Sequence, residues 1–162
     1  SGEIIFDKQL ISTFNEDQLA DIRKKKIGIV FQSFYLIPNY TALENVSLIL
    51  EINSIDNSKQ KAEDLLVQFG LKDRSHHFPT QLSGGEQQRV AIARSMAVKP
   101  KLILADEPTG NLDSENSQMI SNLLFDYANK NQSSFVLVTH DLKFAEKCDH
   151  IIKIEDGTIV SS

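Results

Sequence analysis

The chain of 162 residues has the length of one domain, and 41% of its residues are hydrophobic, which is enough to bury a core. Its formal net charge of −5 argues against non-specific binding to DNA or RNA, so no nucleic-acid partner is expected. Cys148 is the single cysteine, which excludes a disulfide within the chain, and no apolar run reaches the roughly 18–20 residues of a membrane span.

Apolar runs and capping residues predict strands and helices that alternate along the chain. In chain order they are a strand at 3–7, a helix capped by Asn15, a strand at 27–32, a helix capped by Thr41, a helix capped by Ser58, a helix beginning at Ser83, a strand at 102–105, a helix beginning at Ser114, a strand at 135–139, a short helix at 142–147 and a final strand at 151–154. This alternation predicts an α/β fold, in which helices pack on a parallel sheet.

The most informative motif is the string Leu-Ser-Gly-Gly-Glu-Gln-Gln-Arg at 82–89. Serine followed by two glycines is common at ordinary helix starts, but backbone N–H groups there also point at anions, and the helix dipole favours negative charge. Asp106 and Glu107 end the apolar run at 102–105. Two carboxylates at the end of a strand can hold Mg²⁺ and position a water molecule, so the two motifs together predict a site that handles a nucleotide phosphate.

These motifs resemble those of the ATP-binding cassette (ABC) ATPases, and the resemblance extends over nearly the whole chain. The string at 82–89 is similar to the ABC signature, and Asp106 with Glu107 is similar to the Walker B motif. The resemblance implies an α/β fold of the P-loop NTPase (RecA-like) type, with a parallel sheet core and an inserted helical subdomain at about 33–82. Residues 1–162 would then form a partial ABC ATPase domain.

The resemblance also implies ATP and Mg²⁺ as cofactors and gives roles to residues of both motifs. Asp106 would hold Mg²⁺ through water, and Glu107 would be the general base for the attacking water. The signature residues would bind the ATP held by an opposite subunit, with Glu86 standing where many members have glutamine; they are Ser83, Gly84, Gly85 and Glu86.

Three more positions resemble family motifs through their place after predicted strands. Gln32 matches the Q-loop glutamine, which reaches the Mg²⁺ and the attacking water. His140 matches the switch histidine, which contacts the γ-phosphate. Asp113 ends the sequence Asn-Leu-Asp of a D-loop, which crosses a dimer interface, and it is also placed to cap the following helix.

The family's Gly-x-x-x-x-Gly-Lys-Ser/Thr motif, the Walker A P-loop, does not occur in this sequence. Three interpretations stay open: an ABC ATPase subunit truncated N-terminally, an enzyme completed by another chain, or a binding or scaffold module of ABC fold that has lost catalysis. We favour the first, because Ser83, Glu107 and His140 are all present. The isolated chain is then expected to be inactive and to bind ATP weakly.

A chain without the P-loop is also expected to lack the strand that precedes that motif. In the family this strand lies between those expected here at 135–139 and 151–154. The final strand would then move inward, detach from the sheet, or leave a gap that a second chain fills.

The branch of the family follows from the interval between Gln32 and Ser83, which are separated by 51 positions. This interval disfavours the DNA-repair and chromosome-type relatives, which insert a long coiled coil there. The segments 31–38, 41–46 and 110–113 resemble the lipoprotein-release, macrolide-export and bacitracin-export group. The implied function is the ATP-binding and ATP-hydrolysing subunit of a transporter that exports a lipoprotein, peptide or drug.

The same resemblance implies two protein partners. One is a second ATPase subunit, and the other is a transmembrane permease subunit that docks on the helical subdomain near Phe34, Tyr35 and Leu36. The implied location is cytoplasmic, peripheral on the inner face of the cell membrane.

Overall fold

The computed structural model describes residues 2–161, in which helices and strands alternate. In chain order the elements are β1 (Ile5–Phe6), β2 (Gln9–Leu10), α1 (Glu16–Lys26), β3 (Ile27–Phe31), α2 (Ala42–Ile52), α3 (Ser58–Gln68), α4 (Gly84–Met96), β4 (Leu102–Asp106), α5 (Ser114–Asn131), β5 (Ser134–Val138), α6 (Leu142–Ala145), β6 (Lys153–Glu155) and β7 (Thr158–Ser161). Three single-turn 3₁₀ helices lie at Ile11–Thr13, Lys72–Arg74 and Pro79–Gln81.

The central sheet consists of three parallel strands in the order β3-β4-β5. Its register aligns Phe31 with Asp106 and Asp106 with Val138, so the carboxyl ends of all three strands meet at one edge. Open parallel sheets bind ligands at this edge. The residues that follow the strands are therefore brought together here.

Helix α4 lies at the centre of the packing, since it contacts β3, α2, α3 and α5. Val90, Ile92 and Met96 are completely buried in this helix, and the small residues Ala91 and Ala93 let the neighbouring elements approach closely. None of the helices within residues 2–161 is both long and apolar enough to cross a bilayer.

The predicted helix starts hold for α1, α2, α4 and α5, whose caps are Asn15, Thr41, Ser83 and Asp113. The predicted cap at Ser58 is wrong. Asn57 precedes α3 in a left-handed conformation (φ 55°) and makes no capping hydrogen bond through its side chain. This turn brings Ser58 into the first helical position, where its hydroxyl cannot act as the N-cap.

The predicted strand at 3–7 is instead a short hairpin of β1 and β2. Asp7 (φ 50°) and Lys8 (φ 64°) both occupy left-handed positions, as the two central residues of a tight hairpin turn require. The Asp7 carboxylate accepts hydrogen bonds from the ammonium groups of Lys26 (2.8 Å) and Lys101 (2.9 Å). These two bonds attach the turn to the end of α1 and to the segment before β4.

The predicted strand at 151–154 does not belong to the central sheet. Instead β6 pairs with β7 in a separate antiparallel hairpin, so detachment is the outcome in the described part of the chain. Ile152 and Ile154 are largely exposed, as are Val136 and Val138 on β5, which is an outer strand of the three-stranded sheet. Apolar periodicity predicted the strand but could not determine its neighbour.

Candidate functional site

Glu107 follows β4 at the carboxyl edge of the sheet and adopts a left-handed conformation (φ 44°). For a residue other than glycine this conformation costs on the order of 1 kcal/mol, so the surroundings must hold it. Its N–H donates to the Val138 carbonyl (2.9 Å), and its carboxylate accepts from the His140 N–H (2.8 Å) and the Thr139 hydroxyl (3.2 Å). These bonds fix the carboxylate against the loop that follows β5.

The imidazole of His140 lies against the same carboxylate, with Nδ1 2.6 Å from Glu107 Oε1. An ionised carboxylate can only accept a hydrogen bond, so Nδ1 must carry the proton. The other ring nitrogen, Nε2, is then free to interact with a ligand, and the side chain is 82% exposed. The structure thus brings together the two residues that the sequence places 33 positions apart.

Gln32 follows β3 and pairs with Asn111 of the predicted D-loop. Gln32 Nε2 donates to Asn111 Oδ1 (3.1 Å), and Asn111 Nδ2 donates back to the Gln32 main-chain carbonyl (3.2 Å). Gly110 makes the contact possible, because a Cβ atom at this position would lie 2.7 Å from Gln32 Nε2. Sequence reasoning identified Gln32 but not Asn111 as its partner.

Gln88 of α4 is completely buried behind these loops. Its Nε2 donates to the carbonyls of Phe31 (3.2 Å) and Pro108 (2.7 Å), which precede Gln32 and follow Glu107. Its Oε1 accepts no hydrogen bond within residues 2–161. One buried amide therefore connects the backbone at the ends of β3 and β4.

Arg94, in the last turn of α4, holds the loop that follows Gln32. Its guanidinium donates to the carbonyls of Tyr35 (2.6 Å) and Phe34 (3.1 Å). Burial lowers the pKa of this guanidinium. Tyr35 itself is largely exposed and left-handed (φ 45°), whereas Leu36 is half-buried against the core.

The signature residues form the amino end of α4. Ser83 and Glu86 make a reciprocal capping box, and the Arg74 guanidinium also donates to Glu86 (2.8 Å). The Ser83 N–H, more than Arg74, holds the pKa of Glu86 below its usual value. The Ser83 oxygen accepts the Glu86 N–H (3.3 Å), which leaves its hydroxyl hydrogen available to a ligand.

The first turn of α5 lies beside the signature residues. A Cβ atom at Gly85 would overlap the side chain of Asn116, which would then have to shift, whereas one at Gly84 would make only ordinary contacts. Asp113 caps α5 by accepting from the Asn116 N–H (2.9 Å) and side-chain amide (2.7 Å), which lower the pKa of the carboxyl. The capping role expected for Asp113 is confirmed.

Asp106 and Gln32 are the residues that the sequence predicts as oxygen ligands of a divalent cation. Both residues are exposed and lie at the carboxyl edge of the sheet. Asp106 ends β4, and Gln32 directly follows Phe31, the residue of β3 that pairs with Asp106. Residues 2–161 contain no group of three or more His, Cys, Asp or Glu side chains suited to a metal. Mg²⁺ usually takes one or two protein oxygens and completes its shell with water and substrate phosphates, so this pair fits it.

The predicted site residues lie on the open edge of the sheet rather than in an enclosed cavity. A cavity of about 490 Å³ lies between α3 and the carboxyl ends of α4 and α5, where Leu65, Lys99 and Tyr127 contribute to its lining. None of the predicted site residues lines it. We place the site at the edge, because the polar groups there converge on exposed space.

Comparison with known proteins agrees with this fold. The family model described as ABC transporter matches residues 1–110. The lipoprotein-releasing system ATP-binding protein LolD 2 of Chlorobaculum tepidum is 45% identical, and the match covers 98% of this chain and 67% of that protein. LolD of Treponema denticola is 46% identical, with 98% and 71% covered.

Solved structures give the same result. The dimeric structure of the ATP-binding cassette MJ0796 in a post-hydrolysis state, bound to ADP and Pi, is 41% identical with a TM-score of 0.88, and covers 99% of this chain and 72% of that chain. The chain therefore belongs to the ATP-binding domains of ABC transporters, a family of ATPases. It is homologous to the LolD-type ATP-binding subunits, and the predicted family and α/β fold class are confirmed.

Proposed function

We propose that this chain belongs to the ATPase subunit of a lipoprotein-releasing exporter, in which ATP hydrolysis drives a membrane-embedded partner. The observation that carries the catalytic part is the Glu107 carboxylate, held at the sheet edge by Thr139 and His140. The similarity to two LolD proteins supports lipoprotein release over peptide or drug export.

In the proposed mechanism, a water oxygen attacks the γ-phosphorus of ATP and the bond to the leaving ADP oxygen breaks. Glu107 accepts a proton from this water, and His140 donates from its exposed Nε2 to a γ-phosphate oxygen when both ring nitrogens carry a proton. Mg²⁺, held by Asp106 and Gln32, would neutralise phosphate charge when bound. The hydrogen bonds to Glu107 orient the carboxylate before the reaction begins.

A second copy of the subunit is proposed to complete each ATP site. The signature residues Ser83 to Glu86 lie at a helix amino end, where an anion is favoured, and MJ0796 forms dimers. The D-loop beside them would lie at the same interface, with Asp113 at its end.

The helical segment at 33–82 is proposed as the subdomain that receives the membrane partner on the cytoplasmic face. Tyr35 is exposed in the loop that Arg94 holds, which supports this loop as the contact. Copurification with the membrane partner should be weaker for Tyr35→Ala than for Tyr40→Ala, a second exposed tyrosine. Equal recovery of both variants would place the contact elsewhere.

The substitution Glu107→Gln in the full-length gene product tests the catalytic proposal. It should retain ATP binding and hydrolyse ATP at least ~100-fold more slowly, because the amide cannot accept the proton. The control is Glu16→Gln, whose carboxylate is 87% exposed on α1. In membranes containing the partner, release of lipid-anchored proteins should fall in parallel with hydrolysis.

The results of these assays distinguish between the alternatives for the role of Glu107, for catalysis and for the substrate. Near-normal turnover in Glu107→Gln would remove this residue from the role of base. Wild-type protein that binds ATP without hydrolysing it would favour the scaffold interpretation. Normal release of lipid-anchored proteins in the inactive variant would instead point to a peptide or drug as the substrate.

A further inference from the structure

The Gln32–Asn111 pair is the contact from which a further role can be derived. Two hydrogen bonds join these residues, which lie 79 positions apart. One bond joins the two side chains, and the other runs from the Asn111 side chain to a main-chain carbonyl. This carbonyl belongs to Gln32 itself, so Asn111 holds both the backbone and the side chain of the same residue.

The chemistry of the groups determines the direction of both amides. A carbonyl can only accept, so Asn111 must turn its NH₂ group to the Gln32 carbonyl. The Asn111 amide oxygen then faces the Gln32 side chain, which must donate to it from its own NH₂ group. The Gln32 amide oxygen is thereby left outside the pair, and the described hydrogen bonds give it no other partner.

We propose that Asn111 is a positioning residue for Gln32: it fixes the Gln32 amide so that its oxygen, rather than its NH₂ group, is presented to the cation. The inference rests on the proposed metal role of Gln32. Alanine at position 111 would leave the Gln32 amide free to rotate and to present an NH₂ group, which cannot bind a cation.

Two features of the surroundings strengthen this pair beyond an ordinary exposed contact between amides. Gly110 removes the atom that would block the approach. The buried Gln88 binds the carbonyls of Phe31 and Pro108, so the backbones of both loops are already in place before the side chains pair. Less conformational entropy is therefore lost when the two amides meet.

The test uses the full-length protein with Asn111→Ala, Gln32→Ala and the double variant. Asn129→Ala is the control, because this asparagine is exposed on α5 and makes no side-chain hydrogen bond among the described residues. Asn111→Ala should raise the Mg²⁺ concentration for half-maximal hydrolysis about 3- to 10-fold, the scale of one or two lost hydrogen bonds. The KM for ATP at saturating Mg²⁺ should change less than twofold.

The double variant distinguishes positioning from a general structural effect. Once Gln32 is alanine, Asn111→Ala should have no further effect on the Mg²⁺ requirement. An equal rise in both backgrounds would overturn the proposal, because Asn111 would then act independently of Gln32. If Gln32→Ala raises the requirement and Asn111→Ala does not, the positioning role fails while the proposed metal role of Gln32 survives.

A second readout needs neither nucleotide nor metal. In ¹⁵N-labelled protein, the side-chain NH₂ of Gln32 should exchange with water more slowly in the wild type and in Asn129→Ala than in Asn111→Ala. Identical exchange in all three would overturn the pairing. If the pairing holds but Gln32→Ala leaves the Mg²⁺ requirement unchanged, the proposed role of Gln32 fails and the inference for the cation fails with it.

Discussion

Asp7 shows how one side chain stabilises an unfavourable backbone conformation at the surface. The ammonium groups of Lys26 and Lys101 donate to its carboxylate and lower its pKa to about 2. An aspartate in an unfolded chain titrates near 3.8. The folded state therefore holds this carboxylate in its charged form over a wider range of pH than the unfolded state.

This difference predicts a pH dependence for Asp7→Asn. Because the folded pKa is depressed, the stabilisation by Asp7 is fully present above about pH 4 and is lost as the pH falls towards 2. The difference in unfolding free energy between wild type and Asp7→Asn should accordingly shrink over this interval in denaturant titrations. Lys101→Met should show part of the effect, and a difference that stays constant from pH 6 to pH 2 would contradict the prediction.

Helices α2 and α3 differ in how they begin, although both have 11 residues. Thr41 caps α2, since its hydroxyl accepts the Glu44 N–H (3.3 Å) and also donates to the Glu44 carboxylate (2.8 Å). Ser58 has no corresponding role in α3 and makes only a long contact with Glu51 (3.4 Å).

Removing the two hydroxyl groups should therefore have unequal effects. Thr41→Ala should lower the unfolding free energy by about 1 kcal/mol, the usual effect of losing a cap. Ser58→Ala should stay within about 0.5 kcal/mol of wild type, as most surface substitutions do. Equal losses in urea denaturation would show that Ser58 contributes to helix initiation after all.

Most elements could be predicted from local patterns, but the β1–β2 hairpin could not. Continuous apolar runs identified β3 and β4, in which Val30 and Ile103 are buried in the core, although Ile29 on β3 is exposed. The β1–β2 turn contains no glycine, and its left-handed Asp7 is held by lysines 19 and 94 positions away. Contacts between residues so far apart cannot be derived from a local pattern. The apolar residues at 3–7 therefore predicted a single strand in place of the hairpin.

Sequence motifs predicted the charged residues of the candidate site but not the contacts between its amide side chains. The motifs identified Asp106, Glu107 and His140, which do meet at one edge. Their catalytic and metal roles stay predictions. The contact between Gln32 and Asn111 and the burial of Gln88 could not be predicted, because an amide carries neither charge nor a hydropathy pattern that would indicate its partner.

At the scale of the whole molecule, the outer edge of β5 determines which amides are protected. The Ser134 N–H donates to Lys101, and the Val138 carbonyl accepts from Glu107, so the even-numbered residues of β5 face β4. Neighbouring residues of a strand direct their N–H groups to opposite sides. The N–H groups of Phe135 and Leu137 therefore point away from the sheet.

In a polypeptide of these 162 residues, hydrogen exchange should follow this alternation. The amides of Phe135 and Leu137 should exchange at least ~10-fold faster than those of Val136 and Val138, because unpaired amides exchange without local opening. Ile103, in the middle strand, should be among the slowest. Equal protection of these four β5 amides would mean that another strand pairs with this edge.

The attachments of α4 have a mechanical consequence. The helix is a continuous rod of 13 residues, about 20 Å long. The signature serine lies at one end of the helix. Near the other end, the Arg94 guanidinium donates hydrogen bonds to two carbonyls of the loop after Gln32. A tilt of about 5° about one end displaces the other by roughly 2 Å, several times the tolerance of a hydrogen bond. A small rotation of α4 at its signature end must therefore either move the loop after Gln32 or break the hydrogen bonds that Arg94 donates to it.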